Sequence, residues 1–434
     1  MSLICLGNPL KLLKETVDAS LKSKNKANRF FDLSIIVAFG LVFFSIPACS
    51  FSSKLNLLTW IFVGVLLVLI ALDAFLFYKI HIDIIVVSLL LFCASAFVSS
   101  FLNGFRDFSP TYFLLTFFVV LIYSFCKANA GIGKLLLISA YCGSVAFLLL
   151  FIVKYSHELL SFDIDRLGGF FGDENDIAIF NCIGALFSLY FLIFNSNLFV
   201  KIGGAVLSIL FIYCAVSSGS KIVVLLLFFS LVVFIFSINK KNRVWLSFVE
   251  IGCVMLLGFA ALNLPFASGL KDRFLDMIYY LFGNGKAGSV DISTSDRISM
   301  FLDGLQLFLK KPAFGFGING FSNFGGFNNG WSHNHISEML CDTGLIGFVF
   351  YHVPFVISLT SSFRCKGRFQ ILPFSVLFFF IVAMLSIALP GEKMFAFIIG
   401  VVYAELSDAK PFFILDMSSL FAKRKKQNEN RRSY

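Results

Sequence analysis

One polar stretch between apolar segments, from about residue 265 to residue 347, holds the residue types best suited to chemistry. Arg297 lies near its middle, and Trp331-Ser-His333-Asn334-His335 lies near its end. Histidine can accept a proton near neutral pH, and the guanidinium of arginine binds carboxylate or phosphate groups through paired hydrogen bonds. These residue types indicate proton transfer beside an anionic group, and the surrounding sequence must show how they are positioned.

His333 comes directly before a predicted helix. Apolar residues run from Ile336 to Gly344, so Asn334 is predicted as the N-cap. The positive end of the helix dipole disfavours imidazolium, which would keep the His333 ring neutral and able to act as a general base. Two alternatives stay open: a histidine at the membrane interface that only forms hydrogen bonds, and a metal site formed by His333, His335 and Glu338.

Arg297 heads a second predicted helix. Ser293-Thr-Ser-Asp296 resembles a capping box. Apolar residues recur behind it at helical spacing: Ile298, Phe301, Leu302, Leu305, Phe308 and Leu309. The pattern predicts an amphipathic helix lying on the outer face of the membrane or on top of the helix bundle, with Arg297 in the first turn. A cation is disfavoured there, so the placement favours a nearby anion; a solvated or lipid-contacting arginine is the alternative.

A glycine–aromatic tract connects these two helices. Gly315-x-Gly317-x-x-Gly320 formally matches a dinucleotide-binding motif. That motif requires a preceding strand and a βαβ unit, and neither is predicted here, so we reject this interpretation. Phe321, Phe324, Phe327 and Trp331 alternate with further glycines, which predicts a mobile aromatic lid. Its rings would either stack on sugars or rest at the membrane interface.

Other polar residues lie near the outer ends of apolar segments. Lys221 follows the Ser217–Ser220 break, and Asn175 follows a glycine-rich stretch. A smaller polar loop, 154–175, contains Arg166, and the large loop also contains Arg273. Ionisable residues at such positions are functional candidates by default. For Lys221, extension of the side chain to the membrane surface is the alternative.

The composition identifies a membrane protein. The 434 residues are 58% hydrophobic and only 14% charged, whereas soluble domains carry about 25% charged residues. The net charge of +10 could indicate nucleic-acid binding, but its distribution along the chain follows membrane topology instead. The ten cysteines form no CxxC pair, and most fall in apolar segments, so we interpret them as small buried hydrophobic residues.

The hydropathy pattern predicts an all-α, polytopic membrane bundle. A transmembrane helix needs about 20 apolar residues. Twelve candidate segments meet or approach this length: 33–49, 55–75, 82–101, 111–126, 134–153, 176–194, 198–217, 222–238, 244–263, 338–361, 371–390 and 394–406.

The positive-inside rule sets the orientation. With the N-terminus in the cytoplasm, about two thirds of the 35 Lys and Arg residues lie inside. Five regions follow: a cytoplasmic amphipathic segment 1–30, transmembrane helices 1–9 over 31–263 with the periplasmic loop 154–175, a large periplasmic loop 264–335 containing short amphipathic helices, transmembrane helices 10–12 over 336–406, and a basic cytoplasmic tail 407–434.

Several motifs in and near the polar stretch occur together in one known family. They are Arg297 heading a helix, Lys311-Pro312-x-x-Gly315-x-Gly317, His333-Asn334, and Gly344-Leu-Ile-Gly347 in the next helix. Two further matches are Asn175 after Gly169 and Ser220-Lys221, where the family usually has Ser-Arg. On these motifs the chain resembles the bacterial O-antigen ligase and O-antigen polymerase superfamily. The resemblance covers about residues 165–350 in detail and the whole chain in topology.

The resemblance implies a glycosyltransferase on the periplasmic face of the inner membrane. The donor would be a glycan on undecaprenyl diphosphate, with His333 as the base for the acceptor hydroxyl. Arg297 and Lys221 would bind the diphosphate, with Arg166 and Arg273 in reserve. Asn334, Asn175, Gly315 and Gly317 would support these residues. A diphosphate leaving group is already activated, so neither a metal nor a cofactor is required.

Two activities share this chemistry. A ligase transfers the glycan to lipid A–core, and a polymerase transfers it to another lipid-linked repeat unit. The block from His333-Asn334 to Gly347 favours a ligase. Membrane lipids and a chain-length regulator are further expected partners, and nucleic acid is not. A polysaccharide transporter or lipid flippase is the rival class, and it predicts charged residues deep within the helices.

Overall fold

The computed structural model describes residues 26–48, 53–77, 79–106, 108–161, 174–238, 244–264, 267–282, 292–326, 330–363 and 368–416. The predicted amphipathic segment 1–30 and the basic tail therefore lie almost wholly outside the described residues. The described part of the chain is an all-α bundle with one small sheet, so the predicted fold class is confirmed at that level.

The first half of the chain forms long apolar helices joined by short connections. They are α1 (Lys26–Ala48), α2 (Ser53–Phe77), α3 (Ile84–Leu102), α4 (Thr111–Ala128), α5 (Ile132–Lys154), the short α6 (Ser156–Ser161), α7 (Glu174–Phe194), α8 (Leu198–Ser217) and α9 (Ile222–Ile238). Strand β1 (Lys79–Ile82) lies between α2 and α3.

The second half inserts amphipathic helices between apolar ones. It contains α10 (Val244–Leu262), α11 (Ser268–Phe282), α12 (Ile292–Lys310), α13 (Gly320–Phe324), α14 (His335–Ser362), α15 (Ile371–Ala383), α16 (Lys393–Leu406) and strand β2 (Phe413–Asp416). Short 3₁₀ turns cover Arg368–Gln370 and Leu389–Gly391.

Each of the twelve predicted apolar segments coincides with one of these helices. Within the described ranges, nine helices are long and apolar enough to cross a membrane. Helices α9, α15 and α16 are shorter, so the count of twelve passes stays a prediction. The interior is apolar and aromatic, and α14 packs along α3 while α16 packs along α4. Many exposed side chains of α10 are large and apolar, as expected for a face toward lipid.

Two details of the sequence prediction were wrong. The predicted helix 371–390 ends at Ala383, and residues 384–386 turn before the 3₁₀ turn that contains Pro390. The pairing of β1 with β2 was not predicted; the strands are antiparallel, with His81 opposite Ile414. Both short strands lie in regions interpreted as inner loops, where period-two alternation is too brief to detect.

Candidate functional site

Helix α12 positions Arg297. The helix begins at Ile292, slightly earlier than the predicted capping box, so Arg297 lies in the second turn rather than the first. Its guanidinium is half-buried, and Nη1 donates to Ser386 Oγ at 3.0 Å. Gly304 lets α12 approach α14, because a Cβ there would lie 3.0 Å from the Ser337 side chain. Arg297 is therefore held on a packed helix against the turn formed by residues 384–386.

His333 lies in a tight turn, residues 332–334, that we call the His333 turn. Its φ of 50° is in the left-handed region, which non-glycine residues seldom adopt. Asn334 is the N-cap of α14, as predicted: its Oδ1 accepts from Ile336 N–H at 3.0 Å and from Ser337 N–H at 3.2 Å. His333 therefore directly precedes the N-cap of a long helix and is partly exposed.

The 384–386 turn connects the His333 turn with Arg297. His335 N–H donates to Met384 O at 2.9 Å, and Asn334 Nδ2 donates to Leu385 O at 3.5 Å. Arg297 donates to the next residue of the same turn, Ser386. The 384–386 turn thus binds both the residues that follow His333 and the guanidinium of Arg297. It holds the two groups beside each other.

Lys221 and Arg273 join the same hydrogen-bonded group. Lys221 Nζ donates to Thr294 Oγ1 at 3.1 Å. Thr294 and Arg297 are three residues apart on α12 and so share one helix face. Arg273 Nη1 donates to Gly219 O at 3.0 Å, two residues before Lys221. Three of the four predicted cations are therefore connected through neighbouring backbone and hydroxyl groups.

Asn175 supports the connection that carries Lys221. Ser220 Oγ donates to Asn175 Oδ1 at 2.6 Å, so the two weaker sequence matches are in direct contact. Arg166, the fourth predicted cation, lies outside the described residues. We call the end of the bundle that holds Lys221, Arg297 and the His333 turn the site end.

The glycine tract closes a break in α14. Gly344 has φ 63° and ψ −171°, which interrupts the helix. Residues of the tract bond to both sides of the break: Phe316 N–H to Cys341 O at 2.8 Å, Gly317 N–H to Asp342 O at 2.9 Å, and Leu345 N–H to Pro312 O at 2.8 Å. Backbone groups released inside an apolar bundle must find such partners. The Lys311-Pro312 to Gly317 motif supplies them.

This contact explains why Gly315 and Gly317 are glycines. Both have positive φ, 69° and 90°. A Cβ on Gly315 would lie 2.4 Å from Cys341 O, and one on Gly344 would lie 2.4 Å from Ala313 O. The two chain segments could not approach each other with larger residues. In the described structure, the glycines pack the loop against α14 rather than forming a nucleotide cradle.

The predicted exposed aromatic lid is wrong for Phe321. Phe321 is 1% exposed and packs with Leu307 and Cys341 in a small second core. Phe324 is half-buried, with its ring centroid 5.0 Å from that of Phe316. Trp331 is 47% exposed, and Phe327 lies outside the described residues. Among the described aromatic residues of this tract, Trp331, immediately beside the His333 turn, is the most exposed.

The two histidines of the proposed metal site have different surroundings. His335 is fully buried, with its ring 5.2 Å from the Tyr351 ring and 5.1 Å from the His352 ring, whereas His333 is partly exposed. Among the described residues, no group of three or more His, Cys, Asp or Glu side chains could hold a metal ion.

The sequence analysis missed the residues that connect the predicted ones. Ser386 was assigned to the interior of a helix, and Thr294 and Ser332 were not singled out. Pro390-Gly391 was the available signal, because this pair interrupts helices and marks a turn. Glu338 was considered only as a metal ligand, although it is buried and accepts two hydrogen bonds from Ser332.

These features define a polytopic helical membrane protein with a cationic, histidine-containing site at one end of its bundle. Residues 203–352 match the protein-family model described as O-Antigen ligase, and this segment includes Lys221, Arg273, Arg297 and His333. The resemblance to the O-antigen ligase and polymerase superfamily is thereby confirmed. A comparison with curated proteins gave no match. The family match supports membrane glycosyltransferase activity of the ligase or polymerase type, acting on lipid-linked glycans.

Proposed function

We propose that the protein is an inner-membrane glycosyltransferase that transfers an undecaprenyl-diphosphate-linked glycan to a hydroxyl of lipid A–core on the periplasmic face. One observation supports this most directly. The bonds Arg273–Gly219, Lys221–Thr294, Arg297–Ser386 and His335–Met384 gather three cationic side chains and the His333 turn at one end of the bundle.

His333 is the proposed general base. It removes the proton from the acceptor hydroxyl while the hydroxyl oxygen attacks the anomeric carbon of the donor. The bond between that carbon and the phosphate oxygen breaks, and the electron pair leaves with undecaprenyl diphosphate. Attack opposite the leaving group inverts the anomeric configuration. The position of His333 outside a helix N-terminus favours the neutral ring that this step needs.

Arg297, Lys221 and Arg273 are the proposed diphosphate-binding residues. Each donates to an oxygen of an uncharged group, which holds the side chain in place: Thr294 Oγ1, Gly219 O or Ser386 Oγ. Fixed positive charge stabilises the negative charge that develops on the leaving diphosphate. Arg297 can contact phosphate through two parallel bonds, whereas Lys221 acts as a compact charge where the family usually has arginine. Arg166 remains a candidate for the same role.

The hydrogen bonds also support the proposed topology of twelve passes with both termini in the cytoplasm. At the site end, the bonded residues come from the connections after predicted passes five (Asn175), seven (Lys221), nine (Arg297) and eleven (Ser386). Connections after odd-numbered passes lie on the same side of the membrane. The β1–β2 sheet joins the connection after pass two with the segment after pass twelve, which are both even. Positive residues are enriched in the even connections, as expected for the cytoplasmic side.

A polymerase that joins lipid-linked repeat units is the alternative, because its chemistry needs the same base and cations. The rival transporter class predicts charged groups midway along the spans. Two buried aspartates, Asp32 and Asp73, each lie close to one end of their candidate spans instead. Asp342 lies further inside its span, next to the break in α14, where its carboxylate accepts from Asn319 N–H and Phe321 N–H.

A reconstituted transfer assay tests the proposal. The purified protein in liposomes would be given an undecaprenyl-diphosphate-linked oligosaccharide, with lipid A–core as acceptor in one sample and without it in another. We expect the glycan on lipid A–core, with chelator present or absent. Long glycans on the lipid carrier without lipid A–core would instead identify a polymerase. Absence of both products from the folded, inserted protein would contradict glycosyl transfer.

A further inference from the structure

A buried carboxylate on α14 holds the chain that precedes His333. Glu338 is 3% exposed, and its Oε2 accepts from Ser332 N–H at 3.0 Å and from Ser332 Oγ at 2.7 Å. Ser332 is itself fully buried, and its Oγ accepts from Asn334 N–H at 3.1 Å. The carboxylate and the serine hydroxyl therefore fix the residues on both sides of His333.

This arrangement differs from an ordinary helix cap. In a capping box, the glutamate accepts from the N–H of the N-cap residue itself. Here the N-cap is Asn334, and Glu338 reaches past it to Ser332, on the far side of His333. Asn334 Oδ1 already accepts from the first turn of α14. Glu338 lies in the first turn of α14, where a carboxylate also favours the helix N-terminus, but both of its hydrogen bonds to Ser332 act on the His333 turn.

The His333 backbone needs such support. A left-handed φ of 50° is disfavoured for a residue with a Cβ and persists only where the surroundings enforce it. The enforcing contacts are the two Ser332–Glu338 bonds before His333, the contacts of Ser332 Oγ with Asn334 N–H and Asn334 O across it, and the His335–Met384 bond after it. Glu338 holds the serine that makes the contacts across His333. Without the carboxylate, residue 333 could relax to an ordinary conformation, and its ring would move relative to Arg297.

We infer that Glu338 is a positioning residue for His333, acting through Ser332. This inference rests on the proposed function, because it assigns Glu338 to the alignment of the proposed base with the acceptor hydroxyl. A carboxylate that acts only as a hydrogen-bond acceptor can be replaced by an amide oxygen. A displacement of about 1 Å in a reacting group can slow a reaction on the order of 100-fold.

The test compares Glu338→Ala, Glu338→Gln and Ser332→Ala in the reconstituted transfer assay. Glu405→Ala is the matched control, because Glu405 lies near the far end of α16, about 18 Å along that helix from its start beside the 384–391 region. We expect Glu338→Ala to lower kcat on the order of 100-fold with KM for the lipid-linked donor changed less than about threefold. Glu338→Gln should stay within about fivefold of the parent protein and Ser332→Ala should fall between the two.

Thermal unfolding in detergent identifies any variant that fails to fold. If Glu338→Ala fails to fold, Glu338→Gln and Ser332→Ala still test the inference. A Glu338→Gln protein that folds but is as slow as Glu338→Ala would overturn the inference, because it would assign Glu338 a proton or charge role. Parent-like kcat in Glu338→Ala would overturn it as well. The proposed function fails separately: the folded parent protein would then form neither product. Full activity of His333→Ala would overturn the assignment of His333 as the base.

Discussion

The two ends of the bundle are built differently. At the end opposite the site, which we call the clasp end, side chains fasten the C-terminal segment to the helices. Lys127 Nζ donates to Ser407 O, Ser361 Oγ donates to Asp408, and β2 pairs with β1. At the site end, hydrogen bonds connect several loops that are far apart in the chain: Lys221 to Thr294, Arg297 to Ser386, and His335 N–H to Met384 O. The clasp end thus fastens one terminal segment, whereas the site end holds several loops against one another.

Left-handed backbone conformations follow the same division. Among the described residues with left-handed φ, only Gly131 lies in a clasp-end connection. The others lie in site-end connections or at the break in α14: Gly104, Phe105, Gly219, Gly315, Gly317, Asn319, His333 and Gly344. Three of them, Phe105, Asn319 and His333, are not glycine, and such residues persist only where surrounding contacts enforce them. The loops at the site end are therefore more tightly constrained than those at the clasp end.

The largest expected difference in transfer rate is between a histidine variant at the site end and one at the clasp end. His333→Ala should lower transfer about 1,000-fold or more, because general base catalysis contributes about 10²–10⁴-fold. His81→Ala, in strand β1 at the clasp end, should leave transfer within about threefold of the parent. Initial rates of glycan transfer on equal amounts of inserted protein check both values. Similar losses in the two variants would show that the ends are not functionally distinct.

The next effect concerns the shape of the cation. Arg297→Lys should lower kcat/KM for the lipid-linked donor about 50-fold, because lysine cannot form two parallel bonds to phosphate. Lys221→Arg should change it less than about fivefold, and Arg106→Lys, an exposed site-end control, should have no measurable effect. Donor titrations for the three variants would show the order. A larger loss for Lys221→Arg than for Arg297→Lys would reverse the assignment of the diphosphate contacts.

A third comparison uses glycine. Gly344→Ala should lower the free energy of unfolding by about 2 kcal/mol, because φ is 63° and the new Cβ would meet Ala313 O at 2.4 Å. Gly258→Ala in α10 is the matched control: nothing lies within 4 Å of its Cβ, so a gain of about 0.5–1 kcal/mol is expected. Thermal unfolding of both variants in the same detergent gives the difference. Equal stability would mean that the break in α14 is not strained.

The smallest expected effect lies at the clasp end. Leu415→Pro places a proline, which has no backbone N–H, opposite Ile80 in the β1–β2 pairing and should cost about 1 kcal/mol of stability or less, with Leu415→Ala as control. The transfer rate per folded molecule should not change. A loss of activity without a loss of folded protein would show that the sheet transmits its conformation to the site end.

The sequence predicted the helices well because apolar length is a strong signal in a membrane protein. It also singled out Arg297 and Lys221, which the structure connects through α12, and Asn334, which caps α14, since charged and polar residues at the ends of apolar segments are conspicuous. It could not identify Ser386 or the role of Gly344. Both depend on contacts between segments far apart in the chain, and a serine or glycine in an apolar run does not specify which segment will approach it.

The break in α14 has a consequence for how the protein enters the membrane. The partners of its interrupted backbone, residues 312–317, belong to the loop that is synthesised before the helix. The backbone groups beside Gly344 can therefore be paired in the bilayer only when residues 312–317 have already reached this side of the membrane and have folded back onto α14. Insertion of this pass and folding of the 312–317 loop are then one event, so a mutation in the glycine tract would first be observed as a defect in biogenesis.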